Sequence, residues 1–136
     1  MTKKINLVCL DVGEKRIGVA VGDSNVMIAV PYDTIDVDGN ELETIAEIIV
    51  REGANIVVVG YPRNQAGEPT KQTEYVKEFA SRLTDMATEI VFQDESLTSV
   101  MAEQQLADYK KPYTRADIDA LAAAIILQDY IEAKYG

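Results

Sequence analysis

The 136-residue sequence predicts an α/β fold in which three antiparallel strands and then parallel strands make a mixed five-stranded sheet flanked by helices on both faces. Two observations carry this expectation. Residues 5 to 31 read as strand after strand with tight turns between them, too short for crossover helices. From residue 41 onward, segments of helical period alternate with short β-branched runs, the pattern of parallel strands joined by helices.

Ile5-Asn6-Leu7-Val8-Cys9-Leu10-Asp11 is an apolar run that ends on a carboxylate, and Val12-Gly13 turns it into a second run over 16–22. Gly22-Asp23-Ser24-Asn25 is a turn cluster, so Val26-Met27-Ile28-Ala29-Val30-Pro31 is expected as the third strand. Between Glu41 and Glu52, Leu42, Ile45, Ile48 and Ile49 share one helical face, and Gly53 ends the helix. Asn55 to Gly60 is a buried strand, followed by a loop from Tyr61 to Pro69 that holds Pro62 and Gly67. Val76, Phe79, Leu83 and Met86 recur at helical spacing, which predicts a helix over 70–86. Glu89 to Gln93 is the fifth strand. A short helix over 98–107, a polar loop over 108–113 with a stop at Pro112, and a final helix over 115–134 complete the chain. The length and the 47% hydrophobic content suit one domain, 1–136, with its own core.

Composition removes several kinds of chemistry. The sequence has no histidine, which excludes Ser-His-Asp and Cys-His catalysis and the usual zinc sites, leaving carboxylates, lysine or hard metals held by oxygen. The single cysteine, Cys9, lies in an apolar run and is expected as a core residue. No stretch approaches the roughly 20 apolar residues of a membrane span, and Met1-Thr2-Lys3-Lys4 leads into a strand, so a cytoplasmic protein without membrane contact is expected. A net charge of −10 argues against indiscriminate nucleic-acid binding and leaves room for a local basic surface.

Asp11 ends the first strand, and Asp94-Glu95 follow the fifth. Ligands collect outside the carboxyl ends of parallel strands, so these acids meet at one edge if the two strands are neighbours. The last helix adds Asp117 and Asp119. Asp117 has a structural task, because Thr114-Arg115-Ala116-Asp117 matches a capping box. Asp119 has none, and it immediately precedes the apolar segment Ala120-Leu121-Ala122-Ala123-Ala124-Ile125-Ile126-Leu127. Carboxylates gathered from these three places repel one another unless cations compensate. A pair of divalent ions, Mg²⁺ or Mn²⁺ given the oxygen donors, compensates them and suits phosphodiester hydrolysis. Lys15 and Arg16 are close enough in sequence to steer a phosphate, while Arg63, Lys71, Lys110, Lys111 and Arg115 flank the loops expected to border the same edge.

These motifs, in this order and spacing, resemble the YqgF/RuvX family. That bacterial RNase H-like group is described as Holliday junction resolvases and as nucleases that mature the 5′ end of pre-16S rRNA. The resemblance covers almost the whole chain. It rests on Asp11-Val12-Gly13-Glu14-Lys15-Arg16-Ile17-Gly18-Val19-Ala20, on Gly60-Tyr61-Pro62 with Gly67, on Asp94-Glu95 with Thr98-Ser99 and Ala102-Glu103, and on Asp119 with Ala122-Ala123 and Ile126-Leu127-Gln128. It implies an RNase H-like nuclease domain in which Asp11, Glu95 and Asp119 are the catalytic, metal-binding acids, with Asp11 bridging two ions. It selects Glu95 over Asp94, a choice the residues alone leave open. It also implies a nucleic-acid partner, pre-16S rRNA first and branched DNA second, and a monomer or homodimer. One departure stands out: Ser96 occupies a position where the family usually has arginine, which implies a weaker phosphate contact.

Two further readings are open at this stage. A non-catalytic module that binds nucleic acid or the ribosome fits Ser96, but the retained acids oppose it, since an abandoned metal site carries only the cost of repulsion. An actin-like or sugar-kinase-like ATPase also begins with a strand ending in Asp-x-Gly, yet needs two related domains around its nucleotide. The P-loop pattern is absent as well.

Overall fold

The computed structural model describes residues 3–62, 68–86, 89–95, 98–109 and 112–136. The chain runs β1 (Asn6–Val12), β2 (Arg16–Asp23), β3 (Val30–Asp36), α1 (Glu41–Glu52), β4 (Ile56–Pro62), α2 (Lys71–Ser81), β5 (Glu89–Glu95), α3 (Thr98–Asp108) and α4 (Arg115–Tyr135). The five strands lie in the order β3-β2-β1-β4-β5. β1, β2 and β3 pair antiparallel, and β4 pairs parallel with both β1 and β5.

Strand alternation divides the core between the two faces. Val8, Leu10 and Val12 of β1 join Val57 and Val59 of β4 against Ile45, Ile48 and Ile49 of α1 and Val76, Phe79 and Ala80 of α2. Leu7 and Cys9 of β1 join Ile56 and Val58 of β4 against Ala123, Ile126, Leu127 and Ile131 of α4. Cys9 is fully buried, as its apolar run requires. α1 stops at Gly53, whose φ of 60° is the left-handed conformation that glycine adopts without steric cost.

Several boundaries differ from the sequence expectation, and the adjacency of β1 and β5, left open there, is settled. The third strand begins at Val30 rather than Val26. The Asp23 carboxylate accepts hydrogen bonds from the N–H groups of Asn25 and Val26, both at 2.8 Å, and holds a turn there. Met27 then takes a positive φ of 62°, and Gln128 of α4 binds Met27 O at 3.1 Å and Ala29 N at 2.8 Å, so α4 rather than the sheet fixes this segment. The second helix ends at Ser81 rather than Met86. The N–H groups of Arg82, Leu83 and Met86 bond to Phe79, Ala80 and Leu83, three residues back, while the Thr84 hydroxyl donates to Ser81 O at 3.0 Å. Leu83 is still fully buried, which explains why its spacing looked helical. Finally, β1 and β5 are not neighbours, because β4 lies between them.

α4 lies directly on the antiparallel part of the sheet. A Cβ on Gly18 of β2 would collide with the Asp119 carbonyl oxygen, so the close approach of this helix requires glycine at that position. The Thr34 hydroxyl of β3 donates to Ala116 O at 2.6 Å and pins the first turn of α4. Thr114 and Asp117 form the expected capping box, with Thr114 N bonded to Asp117 Oδ2 at 2.9 Å.

Candidate active site

Asp11 projects from β1 on the same face as Cys9, under α4. Glycines flank it in both neighbouring strands. Gly18 is its cross-strand partner on β2, and Gly60 lies on β4 one residue beyond the Leu10–Val59 pair. The missing side chains leave room beside the carboxylate, taken on the β2 side by the α4 backbone and on the β4 side by Glu95 and Ile126. Glu95, two residues after Gln93 on β5, reaches into it from across β4: a Cβ on Gly60 would collide with Glu95 Oε2 and come within 2.9 Å of Ile126 Cδ1. β4 therefore separates the two acidic strands, yet the carboxylates meet over its glycine.

The same alternation distinguishes Glu95 from Asp94. Glu95 shares its face with Val91, which packs against α4, whereas Asp94 is exposed on the other face beside Tyr61, Lys77 and Phe92.

The electrostatics of the site are those of crowded, desolvated acids. Burial, followed by the charge of Asp119, raises Asp11 to about 6, with a hydrogen bond from Glu95 pulling the other way. Burial, then the Asp11 charge and that same hydrogen bond, raises Glu95 to about 8. Glu95 thus keeps its proton to higher pH than Asp11 and donates it to the Asp11 carboxylate. Among the described residues, no donor reaches the buried Glu95 Oε2. The Cys9 thiol beneath is pushed well above its ordinary value, first by burial and then by the charges of Asp11 and Glu95, so it is inert.

Asp119, in the first turns of α4, is close enough to act on Asp11, but its carboxylate is turned to Arg16 at the start of β2. Arg16 Nε donates to Asp119 Oδ2 at 2.6 Å in a partly exposed ion pair. Among the described residues, no three acids stand ready as a metal-ligand set in this arrangement. Lys15 is exposed in the β1–β2 turn, Lys71 is exposed at the start of α2 and Arg115 at the start of α4. Arg63, Ser96, Lys110 and Lys111 lie outside the described residues. The space-making roles of Gly18 and Gly60 escape a reading confined to charged side chains, although a glycine inside a strand is itself a signal of close approach. A cavity of about 590 Å³ lined by Lys4, Asn6, Asp23 and Arg51 sits at the opposite end of β1 and contains none of these acids.

The family model for RuvX, described as Holliday junction resolvase, matches residues 5–133. A relative from Chloroflexus aurantiacus named "Putative pre-16S rRNA nuclease" is 41% identical over 94% of this chain and 87% of its own length. A relative of the same name from Synechocystis is 37% identical over 98% of this chain and 91% of its own. The fold is similar to that of Thermus thermophilus RuvC in complex with a Holliday junction substrate, with a TM-score of 0.58 and 16% identity over 97% of this chain and 96% of the other. It is also similar to the fowlpox virus Holliday junction resolvase, with a TM-score of 0.54 and 16% identity over 95% of this chain and 99% of the other.

Proposed function

The chain belongs to the RuvX family, and we propose that it is a metal-dependent nuclease that hydrolyses phosphodiester bonds, with 5′-end processing of pre-16S rRNA as its task. The observation that carries the chemistry is the meeting of Asp11 and Glu95 over Gly60, with Asp119 held alongside by the contact of α4 with Gly18. Histidine-free, all-oxygen donors, a buried Glu95 Oε2 with no partner among the described residues, and two acids whose ionised forms are disfavoured by burial and then by neighbouring charge fit a hard divalent cation, Mg²⁺ or Mn²⁺. Asp11, Glu95 and Asp119 would hold such cations, two being the number that phosphodiester cleavage favours. When bound, they supply a more acidic water and charge stabilisation of the attacked phosphate.

The residues around the acids do the positioning. Lys15 and Arg16 approach from the β1–β2 turn and Arg115 from the start of α4. Lys71 would extend a basic rim on a chain whose net charge is −10, and Arg63, Lys110 and Lys111 are further candidates for it from the sequence alone. The hydrophobic floor of Cys9 and Ile126 keeps bulk water from beneath the carboxylates. Ribosome biogenesis places this activity in the cytoplasm, and monomer and homodimer are both compatible with it.

Cleavage of branched DNA is the second reading, favoured by the description of the RuvX family itself. The two are separated by incubating the protein with a labelled rRNA-precursor fragment and, in parallel, a synthetic four-way DNA junction, each with Mn²⁺ or Mg²⁺. Precursor cleavage that the junction does not match is expected. Junction cleavage alone would replace the ribosomal assignment with a recombination one, and no cleavage of either would favour a binding module.

A further inference from the structure

The Arg16–Asp119 ion pair sets one candidate metal-binding acid against a candidate substrate-binding cation. The backbones of the two residues are held by strand contacts. Arg16 opens β2, paired with Asp36 of β3, and the Asp119 backbone is seated on Gly18 of the same strand. The pair itself is a contact between two side chains, so exchange of partners needs only side-chain movement. With Arg16 Nε on Asp119 Oδ2 at 2.6 Å, that oxygen is committed to a guanidinium. Asp11 and Glu95 meanwhile share a hydrogen bond, and among the described residues no donor reaches Glu95 Oε2. The acids are therefore two-thirds assembled, and the missing third is held by an internal cation.

The geometry points to Arg16 as a coupling residue that guards Asp119 in the metal-free protein and is released to bind a substrate phosphate when a divalent cation takes that carboxylate. This rests on the cation-dependent nuclease reading above and adds a direction to it. A guanidinium displaced from a carboxylate seeks another oxyanion, and a phosphodiester offers one with matching bidentate geometry. Cation and nucleic acid then bind with positive coupling, each raising the affinity for the other by the same factor. Both partners of the pair are partly exposed, with side-chain accessibilities of 33% for Arg16 and 21% for Asp119, so exchange requires no unfolding of the core.

The test compares wild type with Arg16→Gln and Arg16→Lys, each shown by circular dichroism and cooperative melting to be folded. Mg²⁺ binding is measured by calorimetry. Affinity for a labelled single-stranded RNA is measured by fluorescence anisotropy in EDTA and in Ca²⁺, another hard cation taking oxygen ligands. Arg16→Gln is expected to bind Mg²⁺ about fivefold more tightly, the range of a partly exposed ion pair. It should also lose the Ca²⁺-dependent gain in RNA affinity that wild type shows, while Arg16→Lys retains part of that gain. Unchanged or weaker Mg²⁺ binding by Arg16→Gln, beside clear binding by wild type, would overturn the coupling alone. Absence of Mg²⁺ binding by both would overturn the cation site and the coupling with it.

Discussion

Burial, and after it the Asp119 charge acting on Asp11 and the Asp11 charge acting on Glu95, keep both acids protonated to higher pH than carboxylates in water, so the unfolded chain releases these protons first. Both folded values lie above the unfolded ones. The associated stability is therefore complete below about pH 4 and is lost as pH rises through about 6 for Asp11 and about 8 for Glu95. In EDTA the melting temperature is expected to fall between pH 5 and pH 9, by several degrees more in wild type than in Glu95→Gln, whose amide cannot ionise. Saturating Mg²⁺ should recover most of that loss by binding the ionised acids in the folded state. Coincident pH profiles of wild type and Glu95→Gln would contradict the assignment of Glu95 to the crowded pair. At this scale the sequence was legible for Asp11, because a lone carboxylate ending an apolar strand is conspicuous. The partnership of Asp119 with Arg16 was not, since a contact across 103 residues depends on where α4 settles.

Gly18 and Gly60 act through the elements they join. Gly18 lets α4 lie on β2, and a methyl group there would press on the Asp119 backbone, which cannot swing aside as a flexible side chain would. Gly18→Ala is expected to destabilise the fold by about 2 kcal/mol or more in urea denaturation, the cost of overpacking a close contact. Gly60→Ala meets mainly the Glu95 carboxylate and the tip of Ile126, so its effect should fall on chemistry: about a hundredfold loss of cleavage from misplacing Glu95, with a smaller change in stability. Equal effects of the two substitutions on stability and cleavage would contradict this division of roles. Periodicity made α1, β4 and α4 readable, since their apolar spacing is the direct record of a buried face. It misled at Val26–Ile28, where β-branched residues sit in an exposed turn held by Asp23 and Gln128, and beyond Ser81, where tight turns keep Leu83 buried without an α-helix. Local pattern reports burial, whereas hydrogen bonding to distant partners decides where an element stops.

For the whole molecule, a net charge of −10 means that nucleic acid meets a repulsive body with a local attractive rim. Between about four and seven rim cations engaging a single strand correspond to a slope of log affinity against log salt between about −3 and −5. A slope near zero in fluorescence anisotropy would mean that the rim is not engaged. The sheet order brings acids from β1, β5 and α4 to one end of the molecule although they are distant in the chain. The sequence makes the meeting of Asp11 and Glu95 conditional on β1 and β5 being neighbours, which they are not; it is the absence of a side chain on intervening β4 that lets the two carboxylates meet. The measurement that tests the central claim most directly is the Mn²⁺-dependent cleavage rate of a 5′-extended 16S rRNA precursor by wild type, Asp11→Asn, Glu95→Gln and Asp119→Asn, each confirmed to be folded. The account predicts that wild type cleaves and that every substitution lowers the rate by at least about a hundredfold. A folded Asp11→Asn protein cleaving at the wild-type rate would contradict it.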